Sequence, residues 1–199
     1  DYHLVLNYRD MILRYYLEFN GIDYISGHFC FNEKLYEDYN NCFSFVTVLR
    51  NPVDRFLSHY FFNYSKDTDS PWKIDLDLNE YLDTKYAKNI GHDYVKFIGG
   101  LRKDRDYDSG QAISQAINFL KKFDVVGVLE NLQDFENKVE SILKLNIKMQ
   151  KTNKSPVKKE MRERQINDEI IEKIKTICAS DIKVYNAALK LIELGAVSK

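Results

Sequence analysis

Two polar side chains, Arg50 and Ser58, stand eight residues apart where the sequence changes from a strand-like run to a helix-like run. A guanidinium group can form a forked pair of charge-assisted hydrogen bonds with a phosphate. A serine hydroxyl can donate to a phosphate oxygen that such an arginine already holds. The pair could therefore bind a phosphate group. The spacing leaves an alternative open, in which Arg50 pairs with a nearby carboxylate and Ser58 is only a small packing residue.

The surrounding segment, TVLRNPVDRFLSHYFF, predicts where this pair lies in the fold. Residues 43–49 form an apolar run without charge, which predicts a strand covered on both faces. Asn51 is a favourable N-cap and Pro52 suits the first helical position, so a helix is predicted over residues 52–64. Arg50 then falls at the carboxyl edge of a sheet and just before a helix N-terminus. Both locations favour the binding of anions.

The rest of the chain alternates between strand-like and helix-like patterns. A short strand with a turn after it is predicted within residues 22–31, and another strand is predicted at 124–130. Irregular polar segments are predicted at 67–80, 102–110 and 148–164. Helices are predicted at 8–20, 79–98 with a break or bend near Gly91, 111–122, 131–145, 167–178 and 180–194. This alternation predicts one α/β domain over residues 1–199, with a mainly parallel sheet flanked by helices.

The composition excludes several classes of protein. Lys and Arg number 29 and Asp and Glu number 30, which gives a net charge of −1. This balance argues against nucleic-acid or anionic-membrane binding, so an anion site must be a local cluster. Cys30, Cys42 and Cys178 are odd in number and lack CxxC spacing, which argues against a disulfide framework and against a zinc site. No metal is predicted, and no run approaches the roughly 18 apolar residues of a membrane span.

The segment LRNPVDRFLSHYFF resembles the 3′-phosphate-binding segment of sulfotransferases that use 3′-phosphoadenosine 5′-phosphosulfate (PAPS). It is most similar to the carbohydrate (heparan or uronosyl) 2-O-sulfotransferase branch. The resemblance implies that Arg50 and Ser58 bind the 3′-phosphate of the cofactor. It also implies a three-layer domain like that of the P-loop NTPases. FDVVGVLENLQDFENKVESIL, further along the chain, resembles the late strand and helix of the same family.

Two shorter segments resemble other parts of the family's site. KTNKSPVKK resembles the loop that closes over the nucleotide, which implies cofactor contacts for Asn153, Lys154 and Ser155; taken alone, it also fits a solvated basic linker. ISGHFCF resembles a short segment whose histidine is the catalytic base, which implies that role for His28. An unperturbed imidazole titrates near pH ~6.5 and suits a base at neutral pH. A surface or structural histidine is the alternative.

The sequence also departs from the family pattern. Ser26 stands where the animal heparan enzymes have a first histidine, so that role is unfilled or taken by another group. No proline precedes Pro52, and the family's Pro-Lys-type loop for the 5′-phosphosulfate is not found. Because the chain begins at Asp1, we expect it to be a version of a longer protein without the first strand and that loop. A degenerate relative is the alternative.

Two residues are weaker candidates for acceptor contact. His92 lies in NIGHDYVKFIGG, a region that borders the acceptor in the family. Trp72 follows a proline in a polar segment and could stack on a sugar, whereas most other aromatic residues are expected in the core.

The predicted function is transfer of a sulfuryl group from PAPS to a hydroxyl, and the predicted acceptor is a carbohydrate. The alternative is a degenerate sulfotransferase-fold module that binds a nucleotide or polyanion without catalysis. An unrelated nucleotide kinase is disfavoured, because the sequence contains no Walker motif. The predicted compartment is the cytoplasm for a microbial or viral protein, or the Golgi lumen for one of the animal type. The acceptor and the oligomeric state are not predicted.

Overall fold

The structure is a computed structural model that describes residues 2–19, 21–101, 106–149 and 157–195. Two short strands lie within a largely helical chain. The strands are β1 (Val46–Leu49) and β2 (Val125–Val128), and a 3₁₀ turn at Leu129–Asn131 follows β2. The helices are α1 (Tyr2–Glu18), α2 (Glu33–Tyr39), α3 (Pro52–Tyr64), α4 (Leu78–Leu82), α5 (Lys85–Ile90), α6 (Asp93–Ile98), α7 (Gly110–Leu120), α8 (Leu132–Leu143), α9 (Lys159–Gln165), α10 (Asp168–Ile177) and α11 (Ala179–Glu193).

The two strands are parallel neighbours, with Val46 opposite Val125. One face of the pair packs against α8, through Val48, Val125 and the Phe135 ring. Gly127 makes this contact possible, because a Cβ at that position would lie 2.5 Å from the Phe135 ring. The parallel arrangement places the ends of β1 and β2 at one carboxyl edge, as the alternation of strands and helices predicts.

The other face of the strands packs against a second group of helices. Leu49 and Val128 join buried residues of α6, α7 and α11 in one apolar cluster. A separate cluster joins α3 to α4, α5 and α10 and contains the fully buried rings of Phe56, Tyr60 and Phe61. Helices therefore contact both faces of the two strands, and the fold is a mixed α/β fold. The three-layer architecture implied by the resemblance stays a prediction.

Several predicted elements are confirmed by the structure. The helix over residues 52–64 is α3, and the Asn51 side chain caps it by accepting hydrogen bonds from the N–H groups of Val53 and Asp54, at 3.0 and 3.4 Å. The Asn131 cap is also present, since its side chain accepts from the Asp134 N–H group. Each strand lies within its predicted run but is three residues shorter in total, with four residues instead of seven.

Residues 79–98 were predicted as a helix with one break or bend near Gly91, but they contain a second break. They form α4, α5 and α6, because the Thr84 hydroxyl accepts from the Ala87 N–H group and starts a new helix there. The predicted break at Gly91 is present. Gly91 lies against α10, where a Cβ would come within 2.5 Å of the Ile177 carbonyl oxygen.

Two further predictions were wrong. Residues 22–31 contain no strand, because their hydrogen bonds go elsewhere: the Phe31 N–H group donates to the Phe97 carbonyl, and the His28 carbonyl accepts from Arg9. The predicted loop over 148–164 contains helix α9, whose sequence KEMRERQ consists of good helix formers. None of the helices in the described ranges is both long and apolar enough to cross a membrane.

Candidate functional site

Arg50 directly follows β1, at the carboxyl edge of the sheet. Its backbone N–H group donates to the Tyr94 hydroxyl, which in turn donates to the Arg50 carbonyl, both at 2.7 Å. The N–H group of Asn51 donates to Glu130 Oε1 at 2.8 Å. The guanidinium group, in contrast, has no hydrogen bond or ion pair with any residue that the structure describes. The main chain is held while the charged end of the side chain is available to a ligand.

Ser58 lies two turns into α3 and is half-buried. A serine within a helix commonly donates to a carbonyl three or four residues earlier, as Ser65 and Ser141 do here near the ends of α3 and α8. The Ser58 hydroxyl makes no such bond within the described part of the chain. Its hydrogen-bonding capacity is therefore also available to a ligand.

Arg55 lies one turn into the same helix, and its guanidinium has several partners, in contrast to that of Arg50. Its guanidinium contacts Asp93 at 2.5 Å, the Ile90 carbonyl at 2.6 Å and Asp181 at 3.4 Å, and it lies over the Tyr94 ring. Burial acts to lower the pKa of Arg55, but Asp93 and Asp181 raise it overall. The carboxylate pairing left open for Arg50 is thus found at Arg55 and not at Arg50, among the residues described.

Asp181 anchors this network from α11 and is fully buried. Its two carboxylate oxygens accept from the N–H groups of Tyr94 and Val95, each at 3.0 Å, in the first turn of α6. Burial raises the pKa of Asp181 to about 7, although Arg55 and these N–H groups lower it. Asp181 therefore caps α6 from a distant part of the chain and fixes the helix that carries Tyr94.

His28 lies in the irregular segment before α2, and its side chain is exposed. Its ring faces the Phe97 ring of α6, with 6.5 Å between the ring centroids. Tyr94 and Phe97 are three residues apart on that helix and so lie on one face, separated by about 4.5 Å along the axis. The His28 ring and the Arg50 backbone consequently contact the same face of α6, one turn apart.

The other predicted site residues are not brought to this edge by any contact in the described structure. His92 precedes α6, and its ring contacts the Lys88 carbonyl at 2.7 Å and Asp108 at 3.0 Å. Burial acts to raise the pKa of Asp108, but hydrogen bonds from Ser180 and His92 lower it. Trp72 is on the surface and 58% exposed. Asn153, Lys154 and Ser155 lie outside the described residues.

His59, next to Ser58, is a half-buried ring in the same helix. Its Nε2 contacts the Asn63 amide at 3.0 Å, while its Nδ1 is buried without a partner in the described part of the chain. Burial lowers the pKa of His59; nearby Asp93 opposes this, and Arg55 and Lys66 add to it.

We expect His59 to make the free energy of unfolding depend on pH. The unfolded chain binds a proton at this position below about pH 6.5, the ordinary histidine pKa. The folded chain binds that proton only at a lower pH, because its His59 pKa is lowered. The contribution of His59 to the free energy of unfolding should therefore be fully present above pH 6.5 and decline as the pH falls from 6.5 to the lowered pKa. When urea unfolding is measured at several pH values between 5 and 7.5, the free energy of unfolding should rise less steeply with pH for His59→Gln than for the wild type. The same dependence on pH in both proteins would contradict this role.

A cavity of about 230 Å³ opens at the amino edge of the sheet, on the opposite side from Arg50. Lys121 and Val125 are among its lining residues, and none of the predicted site residues lines it. No group of three or more His, Cys, Asp or Glu side chains suited to a metal ion occurs among the residues described. The candidate site is therefore the carboxyl edge beside α6, and not this cavity.

Sequence reasoning did not identify Tyr94, Glu130 or Asp181 as part of the site. Tyr94 lies in the segment that was predicted to be relevant because of His92, and Glu130 lies in the VGVLE run. The sequence therefore indicated the two segments but not these two residues within them. Asp181 resembles an ordinary acidic residue in the first turn of a helix. No local pattern distinguishes it from an exposed one.

The parallel α/β fold places Arg50, whose guanidinium has no partner among the described residues, between a strand end and a helix N-terminus, an arrangement that favours the binding of an anion. The chain belongs to the sulfotransferase family, whose family model matches residues 25–187. The matched region contains His28, Arg50, Ser58 and the segment 153–155. Searches of curated proteins and of solved structures gave no match. Family membership supports a transferase that moves a sulfuryl group.

Proposed function

We propose that the protein transfers a sulfuryl group from PAPS to a hydroxyl of a carbohydrate. The observation that carries this proposal is the contrast between two arginines five residues apart. Arg55 is bound by two carboxylates and a carbonyl, whereas Arg50 has a fixed backbone and a guanidinium without a partner among the described residues. An unpaired, partly buried guanidinium favours an anionic ligand, and the 3′-phosphate of PAPS is such a group.

Each proposed role follows from the chemistry of the side chain. Arg50 would bind the 3′-phosphate, and the Ser58 hydroxyl would donate to one of its oxygens. PAPS would supply the sulfuryl group. His28 would accept the proton of the acceptor hydroxyl as that oxygen bonds to sulfur and the bond from sulfur to the departing phosphate breaks. The exposure of His28 is consistent with access for an acceptor.

Two further roles rest on the family resemblance and on exposure. Asn153, Lys154 and Ser155 would close over the nucleotide. Trp72 offers an exposed aromatic face of the kind on which sugar rings stack, and this supports a carbohydrate acceptor over a small alcohol. The carbohydrate 2-O-sulfotransferase branch is the part of the family that the segment around Arg50 resembles most.

Arg50→Ala and Ser58→Ala test the phosphate clamp directly. We expect Arg50→Ala to weaken the binding of adenosine 3′,5′-bisphosphate roughly 10- to 100-fold, because a hydrogen bond to a charged group contributes about 1.5–3 kcal/mol. Ser58→Ala should weaken it several-fold. Isothermal titration calorimetry gives both dissociation constants. Lys121→Ala is the matched control, since it removes one positive charge at the opposite edge of the sheet.

The outcomes separate the proposed function from its alternative. Transfer of labelled sulfate from PAPS to a panel of glycans, measured on the product of the whole gene, would support the enzyme. Nucleotide binding that depends on Arg50, without transfer to any acceptor, would support a non-catalytic binding module instead. Absence of nucleotide binding by the wild type, or equal effects of Arg50→Ala and Lys121→Ala, would overturn the proposal.

A further inference from the structure

The backbone of Arg50 is held by a side chain and not by the sheet. β1 ends at Leu49, so the N–H and carbonyl groups of Arg50 have no strand partner in the described structure. The Tyr94 hydroxyl satisfies both of them, accepting from the N–H group and donating to the carbonyl oxygen at 2.7 Å each. Only a group that is donor and acceptor at once can do this. Burial raises the pKa of Tyr94 to about 12, so the hydroxyl keeps its proton at any usable pH.

The Tyr94 side chain is in turn fixed from two sides. Its own backbone N–H group donates to the buried carboxylate of Asp181, which ties the start of α6 to α11. The guanidinium of Arg55 lies 5.2 Å from the centre of the Tyr94 ring, and Arg55 is itself held by Asp93 and Asp181. The phenol ring is therefore oriented by Arg55, and its hydroxyl is hydrogen-bonded to Arg50, the residue directly after β1.

A second contact fixes the next residue along the chain. The N–H group of Asn51 donates to Glu130 Oε1, and Glu130 Oε2 accepts from the Tyr185 hydroxyl at 3.0 Å. Two consecutive backbone N–H groups, those of Arg50 and Asn51, are thus bound by side chains from α6 and from the turn after β2. The Asn51 side chain then caps α3, which carries Ser58.

From this arrangement we infer that Tyr94 is a positioning residue for the phosphate clamp: its hydroxyl fixes the Arg50 backbone and thereby aims the Arg50 guanidinium at the cofactor phosphate. This inference rests on the proposed function. The fixed backbone lowers the entropy that Arg50 must lose when it binds an anion. Tyr94 itself need not touch the ligand.

Tyr94→Phe tests the inference, because it removes the hydroxyl and leaves the ring beneath Arg55. Hydrogen exchange of the Arg50 amide, followed by NMR without ligand, should become at least tenfold faster. The dissociation constant for adenosine 3′,5′-bisphosphate should rise roughly tenfold, and KM for PAPS should rise similarly while kcat changes little. Tyr39→Phe is the matched control: its hydroxyl also makes a hydrogen bond, to Glu18 in α1, and should leave all three quantities unchanged.

A double variant separates positioning from general loss of stability. If Tyr94 acts through Arg50, Tyr94→Phe should have no further effect on nucleotide affinity once Arg50→Ala is present. Additive effects of the two substitutions would overturn the inference, as would wild-type affinity in Tyr94→Phe. Failure of the wild type to bind the nucleotide would instead overturn the proposed function itself. A protected Arg50 amide in Tyr94→Phe would show that the hydroxyl does not hold the backbone.

Discussion

Replacing His28 by alanine should lower kcat for sulfuryl transfer by roughly 10²- to 10⁴-fold, the range of a lost general base. The dissociation constant for adenosine 3′,5′-bisphosphate should stay close to that of the wild type. His28 contacts α6 through Phe97, one turn from the residue that holds Arg50, but no described contact joins it to Arg50 itself. The substitution should therefore lower kcat, measured by steady-state kinetics, without changing the dissociation constant of the nucleotide, measured by calorimetry.

The exposure of the His28 ring allows a second measurement. Because the position is open to solvent, added imidazole should reach it and restore part of the activity of His28→Ala. Tyr24→Ala is the matched control, since it also removes an exposed ring from the irregular segment before α2. A loss below about threefold for His28→Ala, or an equal loss in the two variants, would exclude His28 as the base.

The part of the site that could be predicted from the sequence is the part encoded locally. The change from an uncharged run to Asn51 and Pro52 fixes both the strand end and the helix start, so the location of Arg50 followed from nearby residues alone. The helix caps at Asn51 and Asn131 follow for the same reason, because a cap acts over three residues.

What could not be predicted depends on contacts between distant parts of the chain. Tyr94 is 44 residues from Arg50 in the sequence. Asp181 is 87 residues from Tyr94, whose N–H group donates to the Asp181 carboxylate. The segment at 22–31 has strand-like composition, yet its hydrogen bonds go to α6 and Arg9. A local pattern predicts which groups need partners, but only the packed fold decides which partners they find.

The distinction between Arg50 and Arg55 arises in the same way. Both stand in one short segment, and the sequence left open whether Arg50 pairs with a carboxylate or binds a phosphate. The fold brings Asp93 and Asp181 to Arg55, and in the described residues it brings no carboxylate to Arg50. Arg55 is thus held within the fold, whereas the Arg50 guanidinium has no partner among the described residues, which supports its proposed role in binding the cofactor phosphate.

Asp181→Ala should lower the free energy of unfolding by about 2–6 kcal/mol, because a buried polar group left without a partner costs about 1–3 kcal/mol and the substitution leaves two such groups. The substitution leaves the N–H groups of Tyr94 and Val95 without their acceptor, and it leaves Arg55 with Asp93 as its remaining carboxylate. Since whole domains are stable by only about 5–15 kcal/mol, the loss should be obvious in urea unfolding.

Asp168→Ala is the matched control for this loss, because Asp168 occupies the first turn of α10 but is exposed. Its interaction with the helix dipole contributes only about 0.3–1 kcal/mol. Asp181→Asn keeps one acceptor oxygen and gives a folded comparison if the alanine variant does not fold. A similar loss for Asp181 and Asp168 would mean that the buried carboxylate is not a structural anchor. A large difference would establish that α6, and with it the Tyr94 hydroxyl, is held in place from α11.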